Sequence, residues 1–228
     1  MRFEIEFLDP VVANMLLVAG VDHIITMDLH SSQIQGFFNR PVDNLVAEPS
    51  IARYLKDRFG PVLTNSIVIS KNAGSAKRVT SLADRLNLDF ALIHRERHHI
   101  RDDLQTQQTV ETRLTLVGDV RGKICFMVDD IIDGTHSFLD SCHHLKKCDA
   151  DKVYMIATHG ILSGNALMDI EKCDAVDEVI VTNTYPMSDK LRKQSTKLKV
   201  IDISGVFAEA IRRTHNGESI SYLFNTAI

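Results

Sequence analysis

The residues best suited to chemistry follow an apolar run that ends at Val128. Asp129 and Asp130 come directly after this run, and a turn of sequence DGTHS starts at Asp133 and leads into helical periodicity at Phe138. Ligands of open α/β sheets bind outside the carboxyl ends of strands, and the N–H groups that open a helix attract phosphate. The pattern predicts either a sugar-phosphate site, in which carboxylates bind hydroxyls or Mg²⁺, or only a capped helix and its turns.

The elements that would position this site alternate along the chain between short apolar runs and amphipathic helical stretches. This alternation predicts an α/β fold with a mostly parallel sheet, because several runs are apolar enough to be covered on both faces. The predicted strands are His23–Met27, Ser66–Ser70, Phe90–His94, Leu114–Val117, Ile124–Val128, Val153–Thr158, Val179–Thr182 and Leu198–Ile201. The predicted helices are Val11–Ala19, Ser50–Phe59, Ser75–Leu86, Phe138–Lys147 and Val206–Arg213.

The clearest break in this pattern is Gly60-Pro61, between a predicted helix and a predicted strand. The residues after it contain enough strands for a self-contained sheet, so we expect residues 63–228 to form a C-terminal domain. Residues 1–62 contain one clear strand and two helices, and we expect them to be the remnant of an N-terminal domain. The polar stretch His98–Thr112 is expected to be a loop, either a solvated excursion or a mobile cover over a nearby site.

The composition is that of a globular protein and argues against several classes. A net charge of -4 gives no reason to expect a nucleic-acid partner. The start, MRFEIEFLDP, is too acidic for a secretory signal, and no apolar run is long enough to predict a membrane span. The cysteines are scattered without C-x-x-C spacing, which predicts buried free thiols in a reducing cytoplasm. We therefore expect a soluble, cytoplasmic protein.

The segment KICFMVDDIIDGTHSF resembles the phosphoribosyl pyrophosphate motif of type I phosphoribosyltransferase folds, in which two acidic residues and a small-residue loop follow an apolar run. The similarity to the ribose-phosphate diphosphokinase (phosphoribosyl pyrophosphate synthetase) family is more specific, because it extends over nearly the whole chain. The stretches that resemble this family are HIITMDLHSSQIQGFF, PVDNL, AKRVTSLADRLNLDFALIHRER, VTNT and AEAIRRTHNGESISYLF. The resemblance implies a type I phosphoribosyltransferase-like parallel sheet flanked by helices, with the remnant of a second similar domain.

The family transfers a diphosphoryl group from ATP to the 1-hydroxyl of ribose 5-phosphate with Mg²⁺, mainly by positioning and charge neutralisation. The resemblance implies that Arg95 and Arg97 stabilise the transition state, and that His30 and Asn72 lie by the metal-bound ATP phosphates. The implied ribose 5-phosphate site consists of Asp129, Asp130, Asp133, Gly134, Thr135, His136 and Ser137. The implied regulatory site, for phosphate or ADP at a subunit interface, consists of Gln35, Asp43, Asn44, Ser219, Ser221 and Phe224.

Simpler explanations exist for several of these residues without the resemblance. His30 could be a hydrogen-bonded residue at a strand end, and the two arginines could be solvated at alternate positions of a strand. Ser219 and Ser221 are spaced like the polar positions of an edge strand. The role of each therefore depends on the resemblance.

Several positions depart from the family pattern. The match begins only at Val12, so we expect the family's N-terminal sheet, with its adenine-binding loop, to be missing. Asn72 replaces an aspartate, Arg95 replaces a lysine, and His136 replaces a glycine of the phosphate loop. Each change alters the charge, the shape or the backbone approach at a tight site, which predicts impaired catalysis.

We therefore expect a subunit of the ribose-phosphate diphosphokinase family that acts in phosphoribosyl pyrophosphate synthesis for nucleotide biosynthesis, with impaired catalysis in this chain alone. The diverged turn is similar to that of the synthetase-associated proteins, so the alternative is a non-catalytic regulatory subunit. A third hypothesis is a phosphoribosyl-binding module without the ATP half. The implied partners are ribose 5-phosphate, ATP or phosphoribosyl pyrophosphate, and full-length synthetase subunits in a homo- or hetero-oligomer.

Overall fold

The computed structural model describes residues 2–100 and 109–227, and the side chains of residues 10–96, 113–188 and 191–227. The chain divides into two compact units, one of Met1–Ile51 together with Asp202–Ile228 and the other of Ala52–Ile201. These units are defined by contacts within the chain and are not a test of domain boundaries. The predicted division into residues 1–62 and 63–228 stays a prediction.

Strands and helices alternate along the described residues, as expected of an α/β protein. The strands are β1 (Ile24–Met27), β2 (Val42–Leu45), β3 (Ser66–Ser70), β4 (Asp89–Ile100), β5 (Thr109–Val117), β6 (Ile124–Ile132), β7 (Lys152–Gly160), β8 (Glu178–Thr182) and β9 (Leu198–Ile201). The α-helices are α1 (Arg2–Val18), α2 (Glu48–Phe59), α3 (Ala76–Leu86), α4 (His136–Lys147), α5 (Ala166–Lys172), α6 (Asp189–Arg192) and α7 (Ser204–His215). Short 3₁₀ helices cover Ser32–Phe37, Gly60–Asn65, Ala73–Ser75 and Ser221–Phe224. Within the described ranges, none of the helices combines the length and the apolar character that crossing a membrane requires.

The larger unit is built on a seven-stranded sheet with the strand order β5-β4-β3-β6-β7-β8-β9. Neighbouring strands are parallel except β4 and β5, which form an antiparallel pair at one edge. Parallel neighbours need crossover connections, and α3, α4 and α5 lie in three of them. The predicted α/β fold with a mostly parallel sheet is confirmed.

The central strands of this sheet form the core because they are apolar on both faces. Every residue of β3 is buried, and in β6 every residue except Ile131 is buried. Phe138 and Leu145 of α4 pack into the same cluster as Met127 of β6. Burying a large apolar side chain contributes about 1.5–3 kcal/mol, so this cluster holds α4 firmly on the sheet.

The close packing of β7 against β8 depends on a glycine. A Cβ atom at Gly160 would lie 2.8 Å from Cγ1 of Val181 and 2.9 Å from its Cβ. These distances are far below van der Waals contact, and protein interiors leave little room for such a clash to relax. The last residue of β7 can therefore carry no side chain unless β8 moves.

The cysteines of the larger unit are free thiols, as the sequence predicts. Cys125, Cys142 and Cys173 are buried, whereas Cys148 is partly exposed. Burial raises the pKa of the Cys125 thiol to about 12, so this thiol stays protonated near neutral pH.

The structure corrects several predicted boundaries. β6 does not end at Val128 but continues to Ile132, because its pairing with β7 extends to Gly160.

The expected loop His98–Thr112 is wrong at both ends. β4 continues to Ile100 and β5 begins at Thr109, because antiparallel pairing of these two strands satisfies the backbone of the polar residues there. Residues 101–108 lie outside the described residues. Among the described strands and α-helices, those that the sequence did not predict are the short β2, α5 and α6.

The smaller unit contains a two-stranded parallel sheet made of β1 and β2. The Thr26 hydroxyl donates a hydrogen bond to Oδ1 of Asn44 at 3.1 Å. Asp28, which follows β1 with a φ of 47°, accepts a hydrogen bond from the N–H of Ala47 at 3.1 Å. These bonds fix the turn after β1 against the end of β2.

Glu171 of α5 is hydrogen-bonded to the segment just before β9, and its contribution to stability can be tested. Its carboxylate accepts hydrogen bonds from the Ser195 hydroxyl at 2.5 Å and the Thr196 hydroxyl at 2.7 Å, and these bonds lower the pKa of Glu171 to about 2. A depressed pKa adds stability above the ordinary value of 4.5, and this stability is lost as the pH falls toward 2. We expect Glu171→Gln to be less stable than the wild type at pH 7 and the difference to shrink at pH 3, as measured by urea unfolding.

The matched control is Asp169→Asn, which changes an exposed carboxylate on the same helix. It should cost less stability at pH 7 than Glu171→Gln does. A Glu171→Gln difference that does not change between pH 7 and pH 3 would show that the carboxylate is not stabilised by these bonds.

Candidate functional site

The acidic pair lies near the carboxyl end of β6, the central strand of the seven-stranded sheet. Asp129 and Asp130 are 8% and 6% exposed, so both carboxylates are largely removed from water. Oδ1 of Asp129 accepts a hydrogen bond from the N–H of Asp130 at 3.1 Å, and Oδ1 of Asp130 accepts one from the N–H of Ile131 at 2.8 Å. These local bonds hold both side chains in place at the strand end.

The predicted phosphate turn connects β6 to the first residue of α4. Asp133 is exposed, and its Oδ1 accepts a hydrogen bond from the N–H of Ser163 at 3.0 Å, which ties the turn to the segment after β7. Gly134 and His136 are exposed, whereas Thr135 is 3% exposed. The Thr135 carbonyl accepts hydrogen bonds from the N–H groups of Phe138 and Leu139, the third and fourth residues of α4. The structure thus brings the turn and the acidic pair to one end of the sheet.

A lysine that the sequence interpretation missed reaches the acidic pair from β3. Lys71 Nζ lies 2.9 Å from Oδ2 of Asp129, and the Lys71 side chain is 15% exposed. The same ammonium lies 3.5 Å from the centre of the Phe138 ring. Burial raises the pKa of the Asp129 carboxyl above its ordinary value, although the charge of Lys71 opposes this shift. Asp129 therefore has a cationic partner within the chain.

The strand register explains why Lys71 and Asp129 meet. β3 and β6 are parallel neighbours, and Ser70 is opposite Val128 in the ladder. The next residues along the two strands are Lys71 and Asp129, which therefore lie side by side. The feature that could have revealed this pair is a lysine two residues after the apolar run Ile67–Ile69, but only the register shows its partner.

Asn72 is engaged in the local structure after β3. Its Oδ1 accepts a hydrogen bond from the N–H of Ser75 at 3.0 Å and so caps a 3₁₀ helix. The Ser70 hydroxyl donates to the Asn72 carbonyl at 2.6 Å. The Asn72 side chain thus serves the turn that leads into α3.

Arg95 of β4 lies beside the phosphate turn. Its Nη2 donates a hydrogen bond to the carbonyl of Ser137 at 3.0 Å and lies 3.4 Å from Oδ2 of Asp140. The Arg95 side chain is 19% exposed, so the guanidinium is held rather than freely solvated. Arg97 lies two residues further along β4, opposite Thr112 of β5, and its side chain is outside the described ones. The structure therefore brings Arg95 to the turn.

Polar residues at the ends of β7 and β8 form a second network that no sequence prediction included. His159 Nδ1 and Thr184 Oγ1 are hydrogen-bonded at 2.8 Å. The hydroxyls of Thr182 and Thr184 donate to the carbonyl of Thr158 at 2.7 Å and 3.1 Å. The recognisable feature is a cluster of polar residues at the carboxyl ends of two adjacent predicted strands.

The remaining predicted residues near the N-terminus belong to the smaller unit. His30 is exposed in the segment after β1, and Gln35 lies in a 3₁₀ helix, where its Nε2 donates to the Ser32 carbonyl at 3.2 Å. Oδ2 of Asp43 lies 2.7 Å from Nε2 of His23. Oδ1 of Asn44 also accepts a hydrogen bond from the N–H of Leu29 at 3.1 Å. Asp43 and Asn44 therefore anchor β2 to β1 and its turn.

The predicted C-terminal residues of the regulatory site are held by an arginine of α7. The Ser219 and Ser221 hydroxyls are hydrogen-bonded at 2.9 Å, and Arg213 Nη1 donates to the Ser219 carbonyl at 3.0 Å. Arg213 also lies over the Tyr222 ring, 5.4 Å from its centre. Phe224 ends the 3₁₀ helix of this segment and is partly buried. The segment is a 3₁₀ turn rather than the edge strand that alternation alone would predict.

The side chains at this strand end do not fit a Mg²⁺ ion held by the protein. Within residues 2–100 and 109–227, no group of three or more His, Cys, Asp or Glu side chains is arranged to hold a metal ion. Asn72 Oδ1 is used by a backbone N–H, and Oδ2 of Asp129 is paired with an ammonium. Mg²⁺ takes a near-octahedral set of oxygen ligands and usually draws several of them from water or substrate phosphates, so these side chains alone do not complete its coordination.

Comparisons with known proteins identify relatives over almost the whole chain. A family model described as the phosphoribosyl synthetase-associated domain matches residues 63–111 and 104–225. Ribose-phosphate pyrophosphokinase 2 of Schizosaccharomyces pombe is 52% identical over 216 residues, which are 95% of this chain and 64% of that protein. The crystal structure of phosphoribosylpyrophosphate synthetase from Mycobacterium smegmatis matches with a TM-score of 0.79 and 32% identity, over 92% of this chain and 64% of that chain.

The chain thus spans 64% of the length of both relatives. The family model covers well over half of the chain, and the solved relative shares its fold. The predicted resemblance is confirmed, and the chain belongs to the ribose-phosphate diphosphokinase, or phosphoribosyl pyrophosphate synthetase, family.

Proposed function

We propose that the chain is a subunit of a ribose-phosphate diphosphokinase and that its larger unit binds ribose 5-phosphate at the end of β6. The observation that carries this proposal is the arrangement of two buried carboxylates and a turn that opens α4, at the central strand of a mostly parallel sheet. In such sheets, ligands bind at the carboxyl ends of the strands. Family membership adds the chemical class of the ligand, a phosphorylated ribose.

The chemistry of the side chains suits this ligand. Carboxylates are acceptors only, and sugar hydroxyls are donors, so Asp130 and Asp133 would orient the ribose. The N–H groups of His136 and Ser137, at the start of α4, and the Ser137 hydroxyl would bind the 5-phosphate, with the positive end of the helix dipole behind them. Arg95, held against the Ser137 carbonyl, adds a fixed positive charge at the same turn.

We further propose that this chain alone catalyses diphosphoryl transfer from ATP only weakly. The reaction makes a bond between the 1-hydroxyl oxygen and the β-phosphorus of ATP, and it releases AMP and the hydroxyl proton. Its rate depends on cations and donors placed around the transferred group. Asn72 carries no charge and caps a turn, and Asp129 is neutralised by Lys71, so both contribute less to placing a nucleotide-bound cation. Arg95 and Arg97 remain the proposed catalytic pair.

The second candidate function is a non-catalytic subunit that joins active synthetase subunits. The Lys71–Asp129 pair favours it, because it preserves a charge-balanced sugar-phosphate site without a protein-held metal. In this function, the partners would be full-length synthetase subunits in the cytoplasm. Gln35, Asp43, Asn44, Ser219, Ser221 and Phe224 remain the proposed regulatory contacts.

Calorimetric titration with ribose 5-phosphate tests the binding proposal. We expect Asp133→Asn to weaken binding about tenfold or more, because a hydrogen bond to a charged group is worth about 1.5–3 kcal/mol and the amide keeps the acceptor for the Ser163 N–H. The control is Asp151→Asn, an exposed position just before β7, at the opposite end of that strand from the proposed site, and it should bind as the wild type does. Failure of the wild-type chain to bind ribose 5-phosphate would refute the proposal.

The same samples separate the two candidate functions. Adding ATP and Mg²⁺ and measuring phosphoribosyl pyrophosphate distinguishes a weak enzyme from a non-catalytic subunit. Slow product formation that Asp133→Asn abolishes would favour the enzyme, whereas binding without any product would favour the non-catalytic subunit.

A further inference from the structure

We propose that the Lys71 ammonium takes the place of a divalent cation at Asp129, so that the larger unit binds ribose 5-phosphate without a metal ion. This inference rests on the proposed function, since it concerns the same ligand. It makes Lys71 a positioning residue of the ribose 5-phosphate site.

The first argument is geometric. Lys71 Nζ is 2.9 Å from Oδ2 of Asp129, and the two side chains are only 15% and 10% exposed. The parallel register of β3 and β6 sets their two residues side by side, so the contact follows from the sheet rather than from a flexible surface encounter. An ion pair of this kind is screened little by solvent and persists in the bound state.

The second argument concerns what surrounds the ammonium. The ammonium also lies over the face of the Phe138 ring, 3.5 Å from Nζ to the ring centre. An aromatic face stabilises a cation but offers no oxygen ligand, so it suits an ammonium and not a Mg²⁺ ion. Oδ1 of Asp129 is already used by the N–H of Asp130. Both oxygens of this carboxylate therefore have partners without a metal ion.

The third argument is electrostatic. Ribose 5-phosphate is a dianion, and it would approach Asp129, Asp130 and Asp133 on neighbouring positions of the chain. Carboxylates and a phosphate in a partly buried site repel one another unless a cation lies among them. Lys71 supplies that cation permanently, and removing it should create a need for an external one.

Calorimetric titration with ribose 5-phosphate, once in EDTA and once in Mg²⁺, tests the inference. We expect the wild-type dissociation constant to agree within about twofold in the two buffers. Lys71→Gln, which removes the charge, should bind about tenfold or more weakly in EDTA, and Mg²⁺ should restore much of the loss. The control is Lys152→Gln, an exposed lysine at the start of β7, which should behave as the wild type does.

The outcomes separate this inference from the proposed function. Wild-type binding that requires Mg²⁺ would overturn the role of Lys71 and leave the ribose 5-phosphate site intact. Equal binding of wild type and Lys71→Gln in EDTA would do the same. No binding in either buffer would overturn the proposed function and the inference together. If Lys71→Gln fails to fold by circular dichroism, Lys71→Arg, which keeps the charge, should bind without Mg²⁺, and a Mg²⁺ requirement in it would count against the inference.

Discussion

Replacing Phe138 with alanine is expected to lower the free energy of unfolding by about 4 kcal/mol, in the range that cavities left by large aromatic side chains produce. Phe138 is 2% exposed and packs in the main core cluster from the first turn of α4. Its ring also lies beneath the Lys71 ammonium, and loss of that contact adds roughly 1 kcal/mol. Urea unfolding followed by circular dichroism measures the total.

The control for this change is Phe138→Leu, which keeps most of the apolar volume but removes the aromatic face. We expect it to cost less than half as much as the alanine variant. An alanine variant within about 1 kcal/mol of the wild type would mean that α4 is not anchored to the sheet by this side chain. Because α4 begins at the phosphate turn, we also expect weaker ribose 5-phosphate binding in the alanine variant.

The second large effect is expected for Asp129→Asn, which should cost about 3 kcal/mol of stability. The amide has nearly the shape of the carboxylate, but it removes the negative charge that lies 2.9 Å from the mostly buried Lys71 ammonium. Removing one partner of a buried pair is costly, whereas replacing both is often close to neutral. The double variant Lys71→Met/Asp129→Asn should therefore recover most of the loss, and a double-mutant cycle measures the coupling.

An exposed pair provides the comparison. Asp140→Asn removes the carboxylate near Arg95, but the Asp140 side chain is 57% exposed, so we expect a change within about 1 kcal/mol. Equal losses for Asp129→Asn and Asp140→Asn would contradict the special status of the Lys71–Asp129 pair. So would a double variant that is as unstable as Asp129→Asn alone.

The central part of the fold was predictable from the sequence because burial on both faces leaves a continuous apolar run. β3 was predicted with its observed bounds, and β6 was predicted from its observed first residue, but the carboxyl ends of β6 and β7 were missed. The ends were missed because Asp129 and Asp130 are polar, and only pairing with β7 keeps them in the strand. The seven residues of α5 span too few turns to show helical periodicity.

The candidate site was predicted only in part, for a similar reason. The acidic pair and the turn are contiguous in the sequence, so their types and spacing could be recognised directly. The contacts of Lys71 with Asp129, and of Arg95 with the Ser137 carbonyl, join residues far apart in the chain. Strand register and helix placement create these contacts, and no local pattern encodes them.

The contact between Gly160 and Val181 has a consequence for how this protein can evolve. A methyl group at position 160 would lie 2.8 Å from the Val181 side chain. Gly160 can therefore be replaced by a larger residue only after Val181 has been replaced by a smaller one. The order of the two changes is therefore constrained, since the valine can shrink alone while the glycine cannot grow alone. Lineages that keep this valine should keep the glycine as well, whatever becomes of their catalytic ability.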